Sequence, residues 1–277
     1  MHVVVCVKAV PDPKQASRLA IDPMKKTVIR QGVPLVINPL DRHALQAAVE
    51  LGGTVTAMSM GPPEAREALQ EALARGAGRG VLLSDRAFAG ADTLATAHAL
   101  AAAVGWLGAF DLILCGSESS DGGTAQVGPQ LAELLGIPHV SFVTSIEADP
   151  ASAPGNHSGA ATGVLRVKAK DERGRRRLEV RLPALLTVSR EANRPGGLSF
   201  AGVVQARRKP LEVWDLATVG VPVERIGAAG SPTRIGELRP TTMSRAGRII
   251  GGTLEEAVRE LAATLKQAGI LALREGE

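Results

Sequence analysis

The sequence predicts an α/β fold, in which a mostly parallel sheet carries helices on both faces. Apolar runs alternate with helical patterns through residue 149, and this alternation is typical of parallel sheets. The first run, His2–Val7 (HVVVCV), is nearly continuous in β-branched residues, as expected for a strand buried on both faces. A chain of 277 residues with 45% apolar and 22% charged residues can bury a sizeable core.

The remaining elements of the first part follow in alternating order. We predict strands at Thr54–Met60, Val81–Ser84, Leu112–Cys115 and Val140–Ile146, helices at Leu40–Leu51, Glu64–Arg75, Thr93–Trp106 and Pro129–Leu135, and a small hairpin around Asp22–Lys26 with Thr27–Arg30 as its second arm. Asn38–Pro39 is a typical helix start, Gly52–Gly53 a typical helix end, and Asp92 a natural cap.

The pattern changes after residue 149. Pro150–Gly163 has the composition of a loop, and Val164–Lys170 and Leu178–Val188 are predicted strands around a charged turn. Glu191–Pro210 is too polar and too rich in glycine for a regular element. Residues 220–250 have few periodic signals and suggest a segment that lies on a partner subunit. A terminal helix, Thr253–Ala268, begins with a capping box from Thr253 to Glu256.

Four loops are expected to meet at one edge of the sheet. Ligands of parallel sheets bind outside the carboxyl ends of the strands, where the loops are Lys8–Asp12, Asn38–Asp41, Met60–Pro63 and Gly116–Gly128. The last loop is rich in Gly, Ser, Asp and Thr and feeds a helix, which together make an anion cradle. Since it matches neither a Walker A nor a Rossmann motif, it predicts a phosphate-bearing ligand held in another way.

Composition argues against two classes of function. The net charge of +4 is mild for this length, and only 2% of the residues are aromatic, so we expect no nucleic-acid partner. The sequence shows no apolar run of membrane-spanning length and begins without a signal-peptide layout. We therefore expect no membrane insertion and a cytoplasmic protein.

The cysteines and histidines predict neither a metal site nor a catalytic base. Cys6 and Cys115 each lie in an apolar run without a C-x-x-C motif, which indicates buried, inert thiols. His43, His98 and His139 have no nucleophile or acid at catalytic spacing.

Serines and aspartates near the glycine-rich loop also have ordinary explanations. Ser117, Ser119 and Ser120 lack the G-x-S-x-G elbow of a nucleophile and suit hydrogen bonding to phosphate. Asp85 and Asp92 suit turns and helix caps better than metal binding. We expect no catalytic residue in this chain.

Several segments, in the same order, resemble the β subunit of electron transfer flavoproteins. They are VVCVKAVPDP, VINPLDRHALQAAVEL, AMSMGPPEA, ALARGAGRGVLLSD, the opening loop with its TAQVG, and VKAKDERGRRRLEVRLPALLTV. The resemblance extends essentially from end to end and implies an adenine-nucleotide-binding-like fold. It implies pairing with an α subunit that holds a redox FAD, and a nucleotide in this chain, either AMP or, in the electron-bifurcating branch, a second FAD.

The resemblance also assigns site residues. The implied nucleotide contacts are Val7, Lys8, Ala9, Asn38, Met60, Thr93, Thr96, Gly116, Asp121, Gly122, Gly123, Thr124, Ala125, Gln126 and Val127. The implied domains are a nucleotide-binding domain at 1–219, with a β unit at 164–188 and a recognition loop at 191–210, and a C-terminal arm and helix at 220–277 on the α subunit. The recognition loop would dock acyl-CoA or other flavin dehydrogenases, with Phe200 as its exposed anchor or packed back onto the sheet.

Two nucleotides remain open for this chain. The run LLSDRAFAGADTLATAHALA resembles the bifurcating branch and favours a second FAD. Ser117, Glu118 and Gly123 stand where relatives more often have an Arg-Gln pair and an Asp, which removes a donor fork and adds negative charge. A flavin is therefore held differently, or it is lost and AMP takes its place. Arg175–Arg177 also departs from the family and suits an acidic partner or a solvated turn.

The leading hypothesis is an electron carrier subunit rather than an enzyme. The alternative is a stand-alone protein of the same sheet family that binds or hydrolyses adenine nucleotides. The chain shows neither a Walker lysine nor the S-G-G-x-D-S order that nucleotide chemistry would favour.

Overall fold

A computed structural model describes residues 1–18, 20–22, 27–29, 32–148, 163–234, 236 and 247–271 of the chain. The chain divides into two compact units, Met1–Gly236 and Glu237–Glu277. The turn of the expected hairpin at 22–26 and most of the expected loop at 150–163 lie outside the described residues.

The described elements alternate as expected. The strands are β1 (His2–Cys6), β2 (Ala9–Pro11), β3 (Ala20–Asp22), β4 (Thr27–Ile29), β5 (Leu35–Ile37), β6 (Thr54–Met60), β7 (Arg79–Leu83), β8 (Leu112–Gly116), β9 (His139–Ala148), β10 (Val164–Asp171), β11 (Gly174–Arg181), β12 (Ala184–Val188) and β13 (Leu211–Trp214). The helices are α1 (Pro39–Leu51), α2 (Arg66–Ala74), α3 (Thr93–Leu107), α4 (Val127–Leu135), α5 (Phe200–Ala206), α6 (Leu216–Val219) and α7 (Leu254–Gln267).

A nine-stranded, mostly parallel sheet forms the centre of the first unit. Its strand order is β11-β10-β9-β12-β8-β1-β6-β7-β13, and only the pairings of β10 are antiparallel. Strand β1 pairs in parallel with β6 on one side and with β8 on the other. The direction in which strands are added therefore reverses between β1 and β8, which is where ligands of such sheets bind. The predicted fold class is confirmed.

Two cores cover the two faces of this sheet. Val3 and Val5 pack with α1 and α2 on one face, whereas Val4 packs with α3 and α4 on the other. All three valines are fully buried, as the nearly continuous apolar run predicts. Alternate side chains of a strand point to opposite faces, so a strand covered on both faces is apolar at every position.

Two expectations beyond residue 164 are wrong. The predicted strand Leu178–Val188 is divided into β11 and β12 by a cis Leu182–Pro183 bond. Residues 191–210, expected to lack a regular element, contain α5, whose first turn is capped by Ser199 through a 3.0 Å bond from the Gly202 N–H. A serine cap and the following apolar residues outweigh the polar surroundings.

The β10–β11 hairpin forms one edge of the sheet and carries many charges. Arg176 pairs with Asp171 at 2.5 Å, and Lys170 and Arg175 both pair with Glu191. These contacts hold the basic hairpin against the start of the predicted recognition loop.

Residues beyond 219 fall in both units. In the first unit, Ile226 and Ser231 are buried, and the predicted domain boundary after residue 219 stays a prediction. In the second unit, α7 begins with the predicted capping box of Thr253 and Glu256. Its Leu254 is 81% exposed and Val258 57%, so one apolar stripe has no cover within this unit. No helix in the described part of the chain is long and apolar enough to cross a bilayer.

Candidate functional site

A cavity of about 940 Å³ opens at the carboxyl edge of the sheet. Residues at the ends of β1, β6, β7 and β8 line it, together with the loops that follow these strands. Its volume lies at the upper end of the range for small-molecule and cofactor sites. The predicted convergence of loops at this edge is confirmed for Lys8, Asp41, Met60 and Gly116, all of which line the cavity.

A buried carboxylate holds the switch point together. Asp41 accepts backbone N–H bonds from Lys8 at 2.7 Å and from Gly116 at 3.0 Å, and a side-chain bond from Asn38 at 3.1 Å. Burial raises its pKa to about 6, although these hydrogen bonds act to lower it. A Cβ at residue 116 would lie 2.4 Å from the Asp41 carboxylate, so this close approach requires glycine.

Asn38 occupies the cap position of α1, but its side chain does not cap the helix. Its Nδ2 donates to the carbonyl of Glu118 at 2.8 Å, and its Oδ1 accepts from the N–H of Ser120 at 3.0 Å. The predicted helix start at Asn38–Pro39 is confirmed, and the Asn38 amide bonds to the Gly116–Gly128 loop instead of capping the helix. Asn38 thus positions the loop from behind the cavity.

Lys8, which follows β1, also holds this loop. Its ammonium lies 2.6 Å from Asp121 Oδ1 and 3.4 Å from Ser119 Oγ. Burial alone would raise the pKa of Asp121, but the hydrogen bond and charge of Lys8 hold it below its usual value. The turn is closed by a 2.8 Å bond from the Gly123 N–H to the Ser119 carbonyl, with Gly123 at φ +59°.

The N-terminus of α4 provides the most direct place for an anion. Gln126 precedes the helix and makes no side-chain cap; its Oε1 accepts from the Thr93 hydroxyl at 3.0 Å. Val127 and Gly128 line the cavity, and first-turn N–H groups without a cap are ready to bind a phosphate. Ala125 adopts a positive φ of 55° to enter this turn. These residues fit the phosphate of a nucleotide.

The segment that follows β7 lies within the run that resembles the bifurcating branch, but the predicted nucleotide contacts included none of its residues before Thr93. Residues 84–92 follow β7, and all of them except Ala87 line the cavity. Asp85 accepts from the Ala87 N–H at 2.9 Å, and Asp92 accepts from the Ala95 N–H at 2.9 Å, so the predicted turn and cap roles are confirmed. The position of this segment after a parallel strand was the signal that it belongs to the ligand edge.

The structure brings most of the predicted nucleotide contacts to one cavity. Its lining includes Val7, Lys8, Ala9, Met60, Thr93, Thr96, Gly116, Gly122, Thr124, Ala125, Gln126 and Val127. Asn38, Asp121 and Gly123 are outside this lining, and the first two hold the loop through the bonds described above. Whether the lining residues contact a nucleotide stays a prediction.

The two thiols lie side by side at the floor of the cavity. Cys6 and Cys115 are register partners on β1 and β8, and both line the cavity. They are half-buried rather than fully buried. Burial raises the pKa of Cys6 to about 12 and that of Cys115 well above its usual value. The thiols therefore stay protonated, and thiols in this form are poor nucleophiles. Among the described residues, no cluster of three His, Cys, Asp or Glu could hold a metal ion.

The predicted docking residue lies on another surface. Phe200 begins α5, and its side chain is 86% exposed, so it does not pack back onto the sheet. The loop before it is anchored: Asn193 exchanges hydrogen bonds with His43, and Arg75 donates to the Gly196 carbonyl at 2.7 Å.

Comparisons with known proteins agree with this architecture. The chain matches the family described as electron transfer flavoprotein domain over residues 25–219. It is 40% identical over 271 residues to the electron transfer flavoprotein subunit beta of Clostridium acetobutylicum, and the match covers 96% of this chain and 98% of that protein. This chain belongs to the electron transfer flavoprotein family.

Two further family members are similar over nearly their whole length. The electron transfer flavoprotein subunit beta of Thermoanaerobacterium thermosaccharolyticum is 40% identical over 276 residues, covering 98% of this chain and 100% of that protein. Subunit CarD of the caffeyl-CoA reductase-Etf complex of Acetobacterium woodii is 38% identical over 277 residues, with coverage of 98% and 100%. The resemblance drawn from the sequence segments is thereby confirmed.

Proposed function

We propose that this chain is the β subunit of a heterodimeric electron transfer flavoprotein. It pairs with an α subunit, and the pair accepts electrons from acyl-CoA or other flavin dehydrogenases and passes them to a downstream acceptor. The full-length similarity to proteins named subunit beta carries this proposal. The uncovered apolar stripe of α7 supports a subunit contact through the C-terminal arm at 220–277.

The cavity is the proposed site of this chain's own nucleotide. The α4 N-terminus would hold a phosphate, with Thr124 and Gly122 beside it, and Lys8, paired with Asp121, would hold the loop in place. A flavin supplies electron-accepting chemistry when it is bound. The chain's residues bind and orient the nucleotide, and the protonated Cys6 and Cys115 add no charge of their own to the floor.

FAD fits the size of the cavity better than AMP does. The lining continues past the cradle to Thr93, Thr96, residues 84–86 and residues 88–92, and a mononucleotide would leave much of this space unfilled. AMP remains the second candidate because Ser117 and Glu118, which line the cavity, stand where relatives more often have an Arg-Gln pair, so the donor fork that would suit a diphosphate or flavin is absent at these two positions. Electron bifurcation would require the second FAD.

The exposed Phe200 supports a docking surface for the electron donor. Leu198, Val203 and Val204 are also exposed around it, and such a patch suits a transient protein contact. The relative CarD belongs to a complex with a reductase named for a CoA ester. We therefore propose that α5 and the loop before it contact a dehydrogenase of this kind.

The decisive experiment is to co-express the chain with its α subunit and identify the nucleotides released by denaturation. Two FAD per heterodimer and no AMP would support the second-flavin proposal, whereas one FAD and one AMP would leave a conventional carrier. If no nucleotide other than the α subunit's FAD is released, the proposal that this chain binds a nucleotide of its own would be overturned. A stable monomer that hydrolyses ATP would favour the stand-alone alternative and overturn the subunit proposal.

A further inference from the structure

Among the residues that the structure describes, one positively charged side chain in the cavity lining has no acid that neutralises it. The described lining of the cavity holds two cationic side chains, Lys8 and Arg86. Lys8 is already engaged with Asp121 at 2.6 Å. The side chain of Arg86 is exposed and makes no hydrogen bond or ion pair with any residue in the described ranges. The nearby Asp85 does not neutralise it, because the Asp85 carboxylate accepts the N–H groups of Ala87 and Leu216.

Arg86 projects from a turn that is held on several sides. The Asp85 carboxylate ties the turn to Leu216 at 3.1 Å, and Phe88 is buried as its anchor. The N–H of Ala228 donates to the Ala89 carbonyl at 2.9 Å. A Cβ at Gly227 would lie 2.0 Å from the Ala87 carbonyl. The backbone of Arg86 is therefore fixed before a ligand arrives, which lowers the entropic cost of binding.

The turn lies at the opposite end of the cavity from the phosphate cradle. Arg86 follows β7 and the cradle follows β8, and strands β1 and β6 lie between them. Three steps between neighbouring strands correspond to about 14 Å. A ligand that places a phosphate at the α4 N-terminus must therefore extend across the cavity to reach Arg86.

We propose that Arg86 binds the second half of a dinucleotide and makes the site selective for dinucleotides over mononucleotides. The guanidinium offers five donors in a planar fork, which suits the ring carbonyls and hydroxyls of that half. AMP would occupy the cradle and leave Arg86 in solvent. This inference rests on the proposed nucleotide-binding function of the cavity and names the residue that decides which nucleotide is held.

The test compares FAD with AMP at this site of the co-expressed α/β pair after removal of the bound nucleotides. Equilibrium dialysis gives the affinity of each nucleotide for the wild type, Arg86→Ala and Arg86→Lys, with the α subunit's own FAD site reported as a separate binding step. Arg173→Ala is the matched control, because Arg173 is an exposed arginine on the β10–β11 hairpin outside the cavity lining. Arg86 is exposed, so its loss should leave the fold intact.

We expect Arg86→Ala to weaken FAD binding at this site about tenfold or more, as the loss of hydrogen bonds to a charged group does. The AMP affinity of Arg86→Ala should change by less than about twofold. The FAD affinity of Arg86→Lys should lie between those of Arg86→Ala and the wild type, and Arg173→Ala should bind both nucleotides as the wild type does. An unchanged FAD affinity, or equal losses for FAD and AMP, would overturn the role of Arg86 while leaving the nucleotide site in place. A wild-type site that binds neither nucleotide would overturn the proposed function and this inference together.

Discussion

Oδ1 of Asp41 lies 3.0 Å from the backbone nitrogen of Gly116 and joins the first turn of α1 to the carboxyl end of β8. The two residues are 75 positions apart in the sequence. This contact closes the floor of the cavity at the point where the strand order reverses. The Asp41 carboxylate lies so close to the backbone of residue 116 that only glycine fits there.

The first prediction concerns this close contact. Gly116→Ala places a Cβ 2.4 Å from the Asp41 carboxylate and 2.8 Å from the Asp41 nitrogen. We expect a loss of about 1–3 kcal/mol or more in the free energy of unfolding, as for other overpacked sites. Urea denaturation measures it. Gly105→Ala is the control, since nothing lies within 4 Å of its Cβ position on α3 and alanine favours a helix by about 1 kcal/mol. Equal free energies of unfolding for the two variants would contradict the predicted clash between the added Cβ and Asp41.

The second prediction concerns the titration of Asp41. Its folded pKa of about 6 exceeds the usual value of 3.8 because burial disfavours the charged form. The folded state therefore binds the Asp41 proton more tightly than the unfolded state does. This contribution to the free energy of unfolding is lost as pH rises from about 4 to about 6. The loss is about 3 kcal/mol at 1.36 kcal/mol per pKa unit.

Asp41→Asn removes this titration and provides the comparison. Denaturation of both proteins at pH 4, 5 and 6.5 should show the stability difference shifting in favour of the variant as pH rises. The variant still lacks one acceptor for the Lys8 and Gly116 N–H groups, so its absolute stability at pH 4 should be below that of the wild type. A stability difference that does not change with pH would contradict the raised pKa.

The third prediction concerns Glu118, one of the acidic residues in the cavity lining. Glu118→Gln removes a negative charge from beside the cradle and should raise the affinity for AMP or FAD about two- to tenfold at low salt. The gain should shrink at high ionic strength because exposed charges are screened. Equilibrium dialysis at two salt concentrations measures it. Glu133→Gln, on the exposed side of α4, should change neither affinity; a similar gain there would indicate a general charge effect.

The fourth prediction concerns the docking surface. Phe200→Ala should raise KM for the partner dehydrogenase about tenfold, as loss of an interface anchor does. The melting temperature and nucleotide content should not change, because the side chain is 86% exposed. Steady-state kinetics with varied dehydrogenase concentration measures KM. Trp106→Ala removes another exposed aromatic residue, 62% exposed at the end of α3, and should leave KM unchanged. An equal effect of both variants would exclude a specific role for Phe200.

The fifth prediction concerns α7. Leu254→Asp together with Val258→Asp should prevent co-purification with the α subunit, because both side chains are more than half exposed in their own unit and charge would oppose burial at an interface. Arg259→Ala on the same helix is the control. Recovery of an intact heterodimer from the double variant would contradict the proposed arm contact.

The sheet could be predicted from the sequence because its strands carry local signals. His2–Val7 and Thr54–Met60 match β1 and β6 to within a residue, since apolar runs bounded by turns are a local property. Strand β13 was missed because four residues at a sheet edge are partly exposed and have little pattern. Helix α5 was missed because neighbouring glycines and arginines obscured its serine cap.

The candidate site was predictable only in part. The cradle and the convergence of loops follow from composition and topology, but the bonds that shape them join distant residues. Asn38 bonds to the backbone of Glu118 and Ser120 across about 80 positions, whereas the local sequence indicated only the helix start. Arg86 gave no local signal, because its significance depends on the absence of a neutralising acid among the described residues around it.

The arginine run Arg175–Arg177 lies on strand β11 and has a physical role there that does not depend on a partner. It is an edge of the nine-stranded sheet, and Arg175, Arg176 and Arg177 are exposed along it. A second strand that paired with this edge would have to bring its own side chains beside three guanidinium groups, and an identical edge would add like charges directly opposite. The run therefore protects the protein against edge-to-edge aggregation, whether or not an acidic partner binds there.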